Sequence, residues 1–386
     1  MAALVRQHFS WLTWRACLLS ASLALAGCDN PPSTIKIGVA QPLSGNLAAL
    51  GQDLLNGVKL AVDELNKEGF KIKGKPVIVE VLAMDDRSDP AAGVEVAKQM
   101  VAAGVVAVIG DLNSGVSIPA APIYAAGNIA QLAISTNPKF TELGLATTFR
   151  LVANDTLQAQ AIGSFAAKQL HANKFAIIDD GTTYGKGLAA GATQELLKAK
   201  KEIVVAYASD DKTTAFDDLA GKIKAGNVEV IVSTQSDFQV LALLEALKKI
   251  EYTNVTVLGG DTIKTTAMLK GIGMVKGLYA TSPILDAKEF TTGPQFLERY
   301  RAAFKVDPAY GGHYTYDAVF VLANAMRRID STQPAKIVEA LRTLDGYAPI
   351  TGSMKWDAAG EQRYGAVGVY LARANEWEIQ IRSDRW

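Results

Sequence analysis

Polar residues with different hydrogen-bonding capacities follow four predicted strands of this sequence, at the point where each strand ends. Ser114 and the pair Ser135 and Thr136 follow strands in the first part of the chain, and they offer hydroxyl and backbone N–H groups. Tyr184 and Asp261 follow strands in the second part, and they offer a phenol and a carboxylate. Ligands of open α/β sheets bind beyond the carboxyl ends of the strands. We therefore expect these groups to face a common cleft.

The two walls of such a cleft would have opposite preferences. Ser114 would lie at a helix start, where a hydroxyl and free N–H groups favour an anion. Asp261 favours a cation, so the pair of walls fits the zwitterion of an amino acid. Each residue alone also has a structural interpretation, since these types are common as helix caps, turn residues or half-buried packing residues. Only their joint placement favours a binding site.

The elements that must position these residues alternate between strands and helices. The predicted strands form two arrays, at residues 35–40, 77–83, 105–109 and 129–134, and then at 175–178, 203–207, 228–234, 255–258 and 277–281. Apolar residues at helical spacing lie between most of them. Two successive arrays of this kind predict an α/β protein with two doubly wound, parallel-sheet lobes.

Helices and a β-rich tail that follow the second array predict how the lobes are joined. Helices that follow the last strand of the second sheet must pack on one of the two lobes. We therefore expect the chain to cross between the lobes near residues 152–155, near 283 and near 353–360. Three crossings make a three-strand hinge. The expected lobes are residues 34–153 plus 284–355, and residues 154–283 plus 356–386.

The first 27 residues have the composition of an export signal. They carry two arginines and no acid, and an apolar run of about a dozen residues ends in Leu25-Ala26-Gly27-Cys28. This resembles a bacterial lipoprotein signal, which implies a signal peptide at residues 1–27 and lipidation of Cys28. The resemblance also implies that residues 28–33 are a tether on the periplasmic side, and that Asp29, directly after the cysteine, retains the protein at the inner membrane. An ordinary signal peptide with an incidental cysteine is the alternative.

The composition argues against several other classes of protein. The chain has 386 residues, equal numbers of basic and acidic residues (39 each) and 49% hydrophobic residues. The chain is longer than the roughly 250–300 residues that one hydrophobic core supports. A protein with zero net charge lacks the basic surface that nucleic-acid binding needs. Two cysteines and three histidines argue against a zinc or iron–sulfur protein. We expect no cofactor, no metal and no nucleic-acid partner.

Motifs spread in order from about residue 34 to the end resemble those of the periplasmic branched-chain amino acid binding proteins. They are residues 37–45, Gly51, Asn56-Gly57, Asp85-Asp86 before Pro90, Val108-Ile109-Gly110, Tyr184-Gly185-Lys186-Gly187 and Trp356-Asp357 with Gly360. The resemblance implies a type I periplasmic binding fold. It also implies a protein that delivers a small-molecule ligand to an ABC permease, whose ATPase is a separate partner. We expect a monomer.

The resemblance also implies roles for the candidate residues. Ser114 and Thr136, with Ser135 beside it, match positions that bind an α-carboxylate. Tyr184 matches an aromatic residue at the amino end of the ligand, and Asp261 matches the acid that pairs with the α-ammonium.

The ligand side chain is less constrained by the sequence. Leu50 stands where some family members place an aromatic residue against that side chain. The segment between Ile134 and Asn137 is shorter than in the amino-acid binders. Aliphatic amino acids, other amino acids, small amides, urea and aromatic acids therefore all stay open as ligands.

Two other functions are alternatives to solute binding. Gly185-x-Gly187-x-x-Ala190 fits a relaxed dinucleotide-binding pattern, but no acid clearly ends the next predicted strand. The sequence has no G-x-S-x-G, H-E-x-x-H or P-loop motif, so we expect no enzyme. A lipid-anchored ligand sensor of a signalling receptor is the alternative function, because the same fold serves such subunits.

Overall fold

Two α/β lobes, each built on its own sheet, make up the computed structural model, which describes residues 31–385. The predicted signal peptide and Cys28 lie outside these residues. The strands are β1 (Thr34–Gln41), β2 (Lys71–Ile72), β3 (Lys75–Pro76), β4 (Ile78–Asp85), β5 (Ala107–Gly110), β6 (Ala130–Ala133), β7 (Thr148–Arg150), β8 (Lys174–Asp179), β9 (Glu202–Ala208), β10 (Val230–Ser233), β11 (Thr256–Gly259), β12 (Gly277–Ser282), β13 (Gly346–Ala348), β14 (Gly352–Met354), β15 (Gly368–Arg373) and β16 (Glu376–Arg382). The helices are α1 (Ala48–Lys67), α2 (Pro90–Ala102), α3 (Ser114–Ala126), α4 (Lys139–Glu142), α5 (Asp155–Lys168), α6 (Thr183–Lys198), α7 (Asp217–Ala225), α8 (Asp237–Lys249), α9 (Gly293–Phe304), α10 (Gly312–Ile329) and α11 (Pro334–Thr343).

The first sheet has the strand order β4-β1-β5-β6-β7, and all of its strands are parallel. Every residue of β5 and β6 is buried, as expected for strands covered by helices on both faces. Helices α1 and α10 cover one face, and α2 and α3 cover the other. The order reverses between β1 and β5, so loops after these strands diverge and leave a crevice there.

The second sheet has the strand order β16-β15-β12-β11-β10-β8-β9. Strands β8 to β12 are parallel, whereas β15 and β16 join as an antiparallel hairpin at the edge beside β12. The predicted lobe was purely parallel, and the tail changes this because β15 and β16 are joined by a short turn at Ala374 and Asn375. This hairpin returns the chain to the second lobe.

Local capping fixes where the helices near the cleft begin. Asp89 accepts a hydrogen bond from the Ala92 N–H at 2.7 Å and precedes Pro90, so α2 starts there. Asn154 accepts from Thr156 N at 3.1 Å and from Leu157 N at 3.3 Å, which starts α5 at Asp155.

No helix among residues 31–385 is long and apolar enough to cross a membrane.

Within residues 31–385 the chain connects the two lobes three times. The first connection joins β7 to α5, and the second follows β12, after which Ile284 packs in the core of the first lobe. The third runs between Trp356, whose ring packs 5.1 Å from that of Phe149, and Val367, which packs with Ala153. Trp356 therefore contacts the first lobe, although the predicted division assigned it to the second. The residues at which the lobes divide stay a prediction.

Candidate functional site

A cavity of about 670 Å³ lies between the carboxyl ends of the two sheets. Five of the six predicted ligand-binding residues line it: Leu50, Ser114, Thr136, Tyr184 and Asp261. The first three belong to the first lobe and the other two to the second, so the structure brings together side chains from positions 50 to 261. This volume exceeds that of one amino acid, and the cavity continues to the mouth of the cleft, where Arg87 and Lys212 lie.

The wall in the first lobe is made of hydrogen-bond donors. Asn113 is the residue before α3 and has an extended conformation (φ −80°, ψ 130°). Ser114 and Gly115 therefore occupy the first helical turn, beside the cavity. The first N–H groups of a helix have no acceptor within it, and the helix dipole adds partial positive charge there. Ser114 Oγ accepts from the Asn137 N–H at 3.2 Å, which joins this helix start to the loop carrying Thr136.

Ser135 is placed differently from its neighbour Thr136. Its hydroxyl lies 2.7 Å from Ser117 Oγ, in a buried pair behind the wall, and Ser135 is not among the residues that line the cavity. Successive side chains along an extended backbone point to opposite sides. Since Thr136 faces the cavity, Ser135 faces α3. Its predicted ligand contact therefore has no side-chain geometry to support it.

The wall in the second lobe is organised around the carboxylate of Asp261, which is 3% exposed. Oδ1 accepts from Tyr184 Oη at 2.8 Å and from Gln158 Nε2 at 3.1 Å, and Oδ2 accepts from Tyr310 Oη at 2.5 Å. Burial and the nearby carboxylate raise the pKa of Tyr184 and Tyr310 well above the usual range, so both phenols stay protonated and donate. A carboxylate can accept about four hydrogen bonds, so room for a cationic donor remains.

Sequence reasoning missed Tyr310, because this residue follows no strand and lies in the loop just before α10. The Asp53 carboxylate holds this loop by accepting from the N–H groups of Tyr310 and Gly312, both at 2.9 Å, and from Tyr300 Oη at 2.6 Å. Burial raises the pKa of Asp53, and these three donors oppose the rise. The clamp fixes Tyr310 so that its hydroxyl reaches Asp261 in the opposite lobe.

Asp155 is a second buried acid near this wall that sequence reasoning also missed. It is 3% exposed, and neither carboxylate oxygen has a hydrogen-bonding partner by geometry among the described residues. Burial raises the pKa of Asp155 to about 7; the nearby Thr136 hydroxyl lowers it in part, and Asp261 raises it further. One feature of the sequence could have indicated a role for Asp155. Asn154 already caps α5, so the Asp that follows it is not needed as a cap.

The two lobes contact each other across the cleft in this structure. Asn137 Nδ2 of the first lobe donates to the Thr183 carbonyl of the second at 2.9 Å, and Tyr310 reaches Asp261 in the same sense. Gly187 in α6 lies against this contact, because a Cβ built on it would be 2.4 Å from Asn137 Nδ2. The arrangement is therefore closed.

Gly187→Ala is expected to weaken ligand binding several-fold, because its methyl group displaces the amide that joins the lobes. Titration calorimetry with an aliphatic amino acid, one of the ligand classes that the sequence leaves open, measures this. The control is Gly221→Ala, since Gly221 lies in α7 of the same lobe and a Cβ there meets nothing within 4 Å. Equal affinities for the two variants would contradict a closed bound state of this geometry.

A metal site has no support among residues 31–385, where no group of three or more His, Cys, Asp or Glu side chains is arranged to hold an ion. His313 is buried at the start of α10, and burial lowers its pKa to about 4, so it is neutral at pH 7. Its Nε2 lies 2.8 Å from the Leu285 carbonyl. This geometry is that of a packed core histidine.

Two α/β lobes that enclose a cavity with a donor wall and a carboxylate wall define a bilobal ligand-binding protein. The sequence profile of the family described as "Periplasmic binding protein" matches residues 34–377. The Leu/Ile/Val-binding protein homolog 2 of Brucella abortus is 30% identical over 352 residues, which cover 89% of this chain and 91% of that protein. The chain belongs to the periplasmic binding protein family.

Solved structures agree with this assignment at the level of the fold. The leucine-binding protein of Thermotoga maritima superposes with a TM-score of 0.81 at 23% identity, covering 90% of this chain and 98% of that one. The branched-chain amino acid binding protein LivJ of Streptococcus pneumoniae, in complex with isoleucine, gives 0.79 at 24% identity, with 90% and 99% covered. The predicted resemblance and the type I periplasmic binding fold are confirmed.

Family membership also decides the general role of the chain. It is a solute-binding protein, and the family implies an extracytoplasmic location. Proteins of this family and fold bind substrates and in general are not enzymes. The relatives support solute binding and give no support to the signalling alternative.

Proposed function

We propose that this protein captures an aliphatic amino acid between its lobes and delivers it to an ABC permease driven by a separate ATPase. The observation that carries the proposal is the pairing across one cavity of the donor wall of Ser114 and Thr136 with the carboxylate of Asp261. An α-amino acid presents a carboxylate and an ammonium group at a fixed short separation. Closure of the two lobes brings one wall to each.

The apolar part of the cavity supports an aliphatic side chain. Leu47, Leu50, Leu112 and Phe238 line it. Most of the charged lining residues are exposed, namely Arg87, Lys186, Asp210, Asp211 and Lys212, whereas Asp180 and Asp261 are buried. An aliphatic side chain removed from water gains roughly 1.5–3 kcal/mol. The names of the relatives, which are Leu/Ile/Val-binding and leucine-binding proteins, point to the same ligand class.

The contacts are sufficient for a useful affinity. Micromolar binding needs about −8 kcal/mol. Charge-assisted hydrogen bonds contribute roughly 1.5–3 kcal/mol each, so about four of them reach this value after ordering costs. Closure occurs because the ligand contacts both walls only in the closed state, which gives the differential affinity that a conformational change requires.

A thermal-shift screen of the purified protein tests the ligand class. The panel contains the amino acids, small amides, urea and aromatic acids. A ligand at about 100 times its Kd stabilises by roughly 2.7 kcal/mol, which raises Tm by several degrees or somewhat less for a chain of this size. Shifts confined to aliphatic amino acids are expected. Shifts only with compounds that lack an α-ammonium group would refute the role of Asp261 while leaving solute binding intact.

We infer further that the mature protein begins at Cys28 and is held by lipid at the periplasmic face of the inner membrane, as a monomer. The support is the Leu25-to-Cys28 sequence and the Asp29 that follows it. More than one acyl chain is needed for stable anchoring, and a triacylated cysteine satisfies this. Growth with a radioactive fatty acid tests the anchor: label in the protein is expected, and an unlabelled protein would contradict it.

A further inference from the structure

Arg150, at the end of β7, is a fully buried arginine that holds the loop carrying Thr136 by its backbone. Its Nη1 donates to the Ser135 carbonyl, and its Nη2 donates to the Asn137 carbonyl at 2.9 Å. These are the carbonyl groups immediately before and after that of Thr136. The Arg150 side chain is 0% exposed, so its effect is on the protein interior and not on the surface charge.

Two further groups fix the orientation of this guanidinium. Glu361 accepts from Arg150 Nε through Oε2 at 3.0 Å and from Nη2 through Oε1 at 3.0 Å, a bidentate pair. Thr141 Oγ1 accepts from Nη2 at 3.2 Å, and the Phe140 ring centroid lies 5.5 Å from Cζ. All three nitrogens of the planar fork therefore donate to acceptors that the protein holds in place.

Peptide planarity transmits this orientation to the cavity. The bond between Ser135 and Thr136 is trans, and in a trans peptide the C=O and N–H point in opposite directions. Because the Ser135 carbonyl points at Arg150, the Thr136 N–H points away from it. Thr136 lines the cavity, so this donor joins those at the start of α3.

We propose that Arg150 is a positioning residue that aims the Thr136 N–H at the carboxylate of the bound ligand. The inference rests on the proposed function, since it assumes that the carboxylate of an amino acid lies against this wall. Arg150 does not contact the ligand. Its charge is balanced by Glu361, so its action is geometric.

Arg150→Lys tests the proposal, because lysine keeps the charge but cannot hold two carbonyls and Glu361 with one planar fork. The measurement is the Kd for L-leucine and for L-leucinamide, which retains the ammonium but lacks the carboxylate. We expect roughly a tenfold loss for leucine, as for one charge-assisted hydrogen bond, and at most about twofold for leucinamide. Equal losses for both ligands would overturn the proposal, because general loosening affects them alike.

Arg342→Lys is the matched control. Arg342, in α11, is a partly buried arginine of the first lobe. Like Arg150, it donates to backbone carbonyls, those of Ala146, Leu145 and Ala358. None of these belongs to the loop of Thr136. For the control, the ratio of the affinity for leucine to the affinity for leucinamide is expected to match that of the unaltered protein. A fall in this ratio as large as that in Arg150→Lys would overturn the proposal.

NMR on the unaltered protein gives a second measurement that needs no folded variant. The Thr136 amide proton is expected to shift downfield when leucine binds, and to shift less with leucinamide. A Thr136 amide that does not respond to leucine, while other amides at the cavity do, would overturn the positioning role alone. Absence of any leucine binding would contradict the proposed function and this inference together.

Discussion

Asp261→Asn is expected to weaken the binding of L-leucine by at least tenfold. In the closed structure Asp261 is buried and receives hydrogen bonds from Tyr184, Gln158 and Tyr310, all of them uncharged donors. A buried carboxylate without a cation is costly, and the ligand ammonium supplies that cation. Asparagine keeps the shape and removes the charge, so the loss reports the ammonium contact. Titration calorimetry measures it.

The control for this loss of one charge is Asp218→Asn, since Asp218 is an exposed residue of α7 in the same lobe. Its affinity for leucine is expected to equal that of the unaltered protein. If Asp261→Asn also binds leucine with unchanged affinity, the ammonium does not lie at Asp261, and the zwitterion account of the cavity is wrong.

Asp155→Asn is expected to stabilise the free protein at pH 8 while it weakens ligand binding. Burial raises the pKa of Asp155 to about 7, above its ordinary value of 3.8 in an unfolded chain. Between these two values the folded state binds more protons than the unfolded state, so the free energy of unfolding from this group falls as pH rises. Above pH 7 the charged carboxylate destabilises the fold, and asparagine removes that penalty. An increase in Tm of about 2 °C or more is expected at pH 8, and little change at pH 5.

The same titration predicts a pH dependence of binding. A ligand ammonium favours the charged form of Asp155, so leucine affinity of the unaltered protein is expected to fall as pH drops from 8 to 5.5. Asp155→Asn should bind more weakly at pH 8 and lose most of this pH dependence. Asp317→Asn is the control, because burial also raises the pKa of Asp317 to about 7 but this residue binds Ile350 N and Thr351 N, away from the cavity. A pH profile of Asp155→Asn that matches the unaltered protein would contradict the role of Asp155.

The strand ends that carry the site were predictable from sequence for a physical reason. In a doubly wound sheet all parallel strands end at the same edge, so Ser114, Thr136, Tyr184 and Asp261 had to face the cleft once their strands were identified. The alternation of strands and helices likewise predicted two lobes. The antiparallel hairpin of β15 and β16 was visible only as a β-rich tail, because its partner β12 is distant in sequence.

Three features of the site could not be predicted from the sequence: the roles of Tyr310 and Asp155, and the orientation of Ser135. Tyr310 is placed by Asp53, which lies more than 250 residues earlier, and it contacts Asp261 in the other lobe. Asp155 has the sequence context of an ordinary helix start, and its importance comes from tertiary burial. Ser135 and Thr136 are chemically alike, and only the strand geometry decides which one faces the cavity.

A calorimetric comparison of L-leucine, 4-methylpentanoate and 3-methylbutylamine with the purified protein tests the central claim most directly. The second compound lacks the ammonium and the third lacks the carboxylate, while both keep the aliphatic side chain. The account predicts that leucine binds, and that each of the other two binds at least tenfold more weakly, because each leaves one wall of the cavity without its partner. Binding of 4-methylpentanoate as tight as that of leucine would contradict the claim that this cavity recognises a zwitterion.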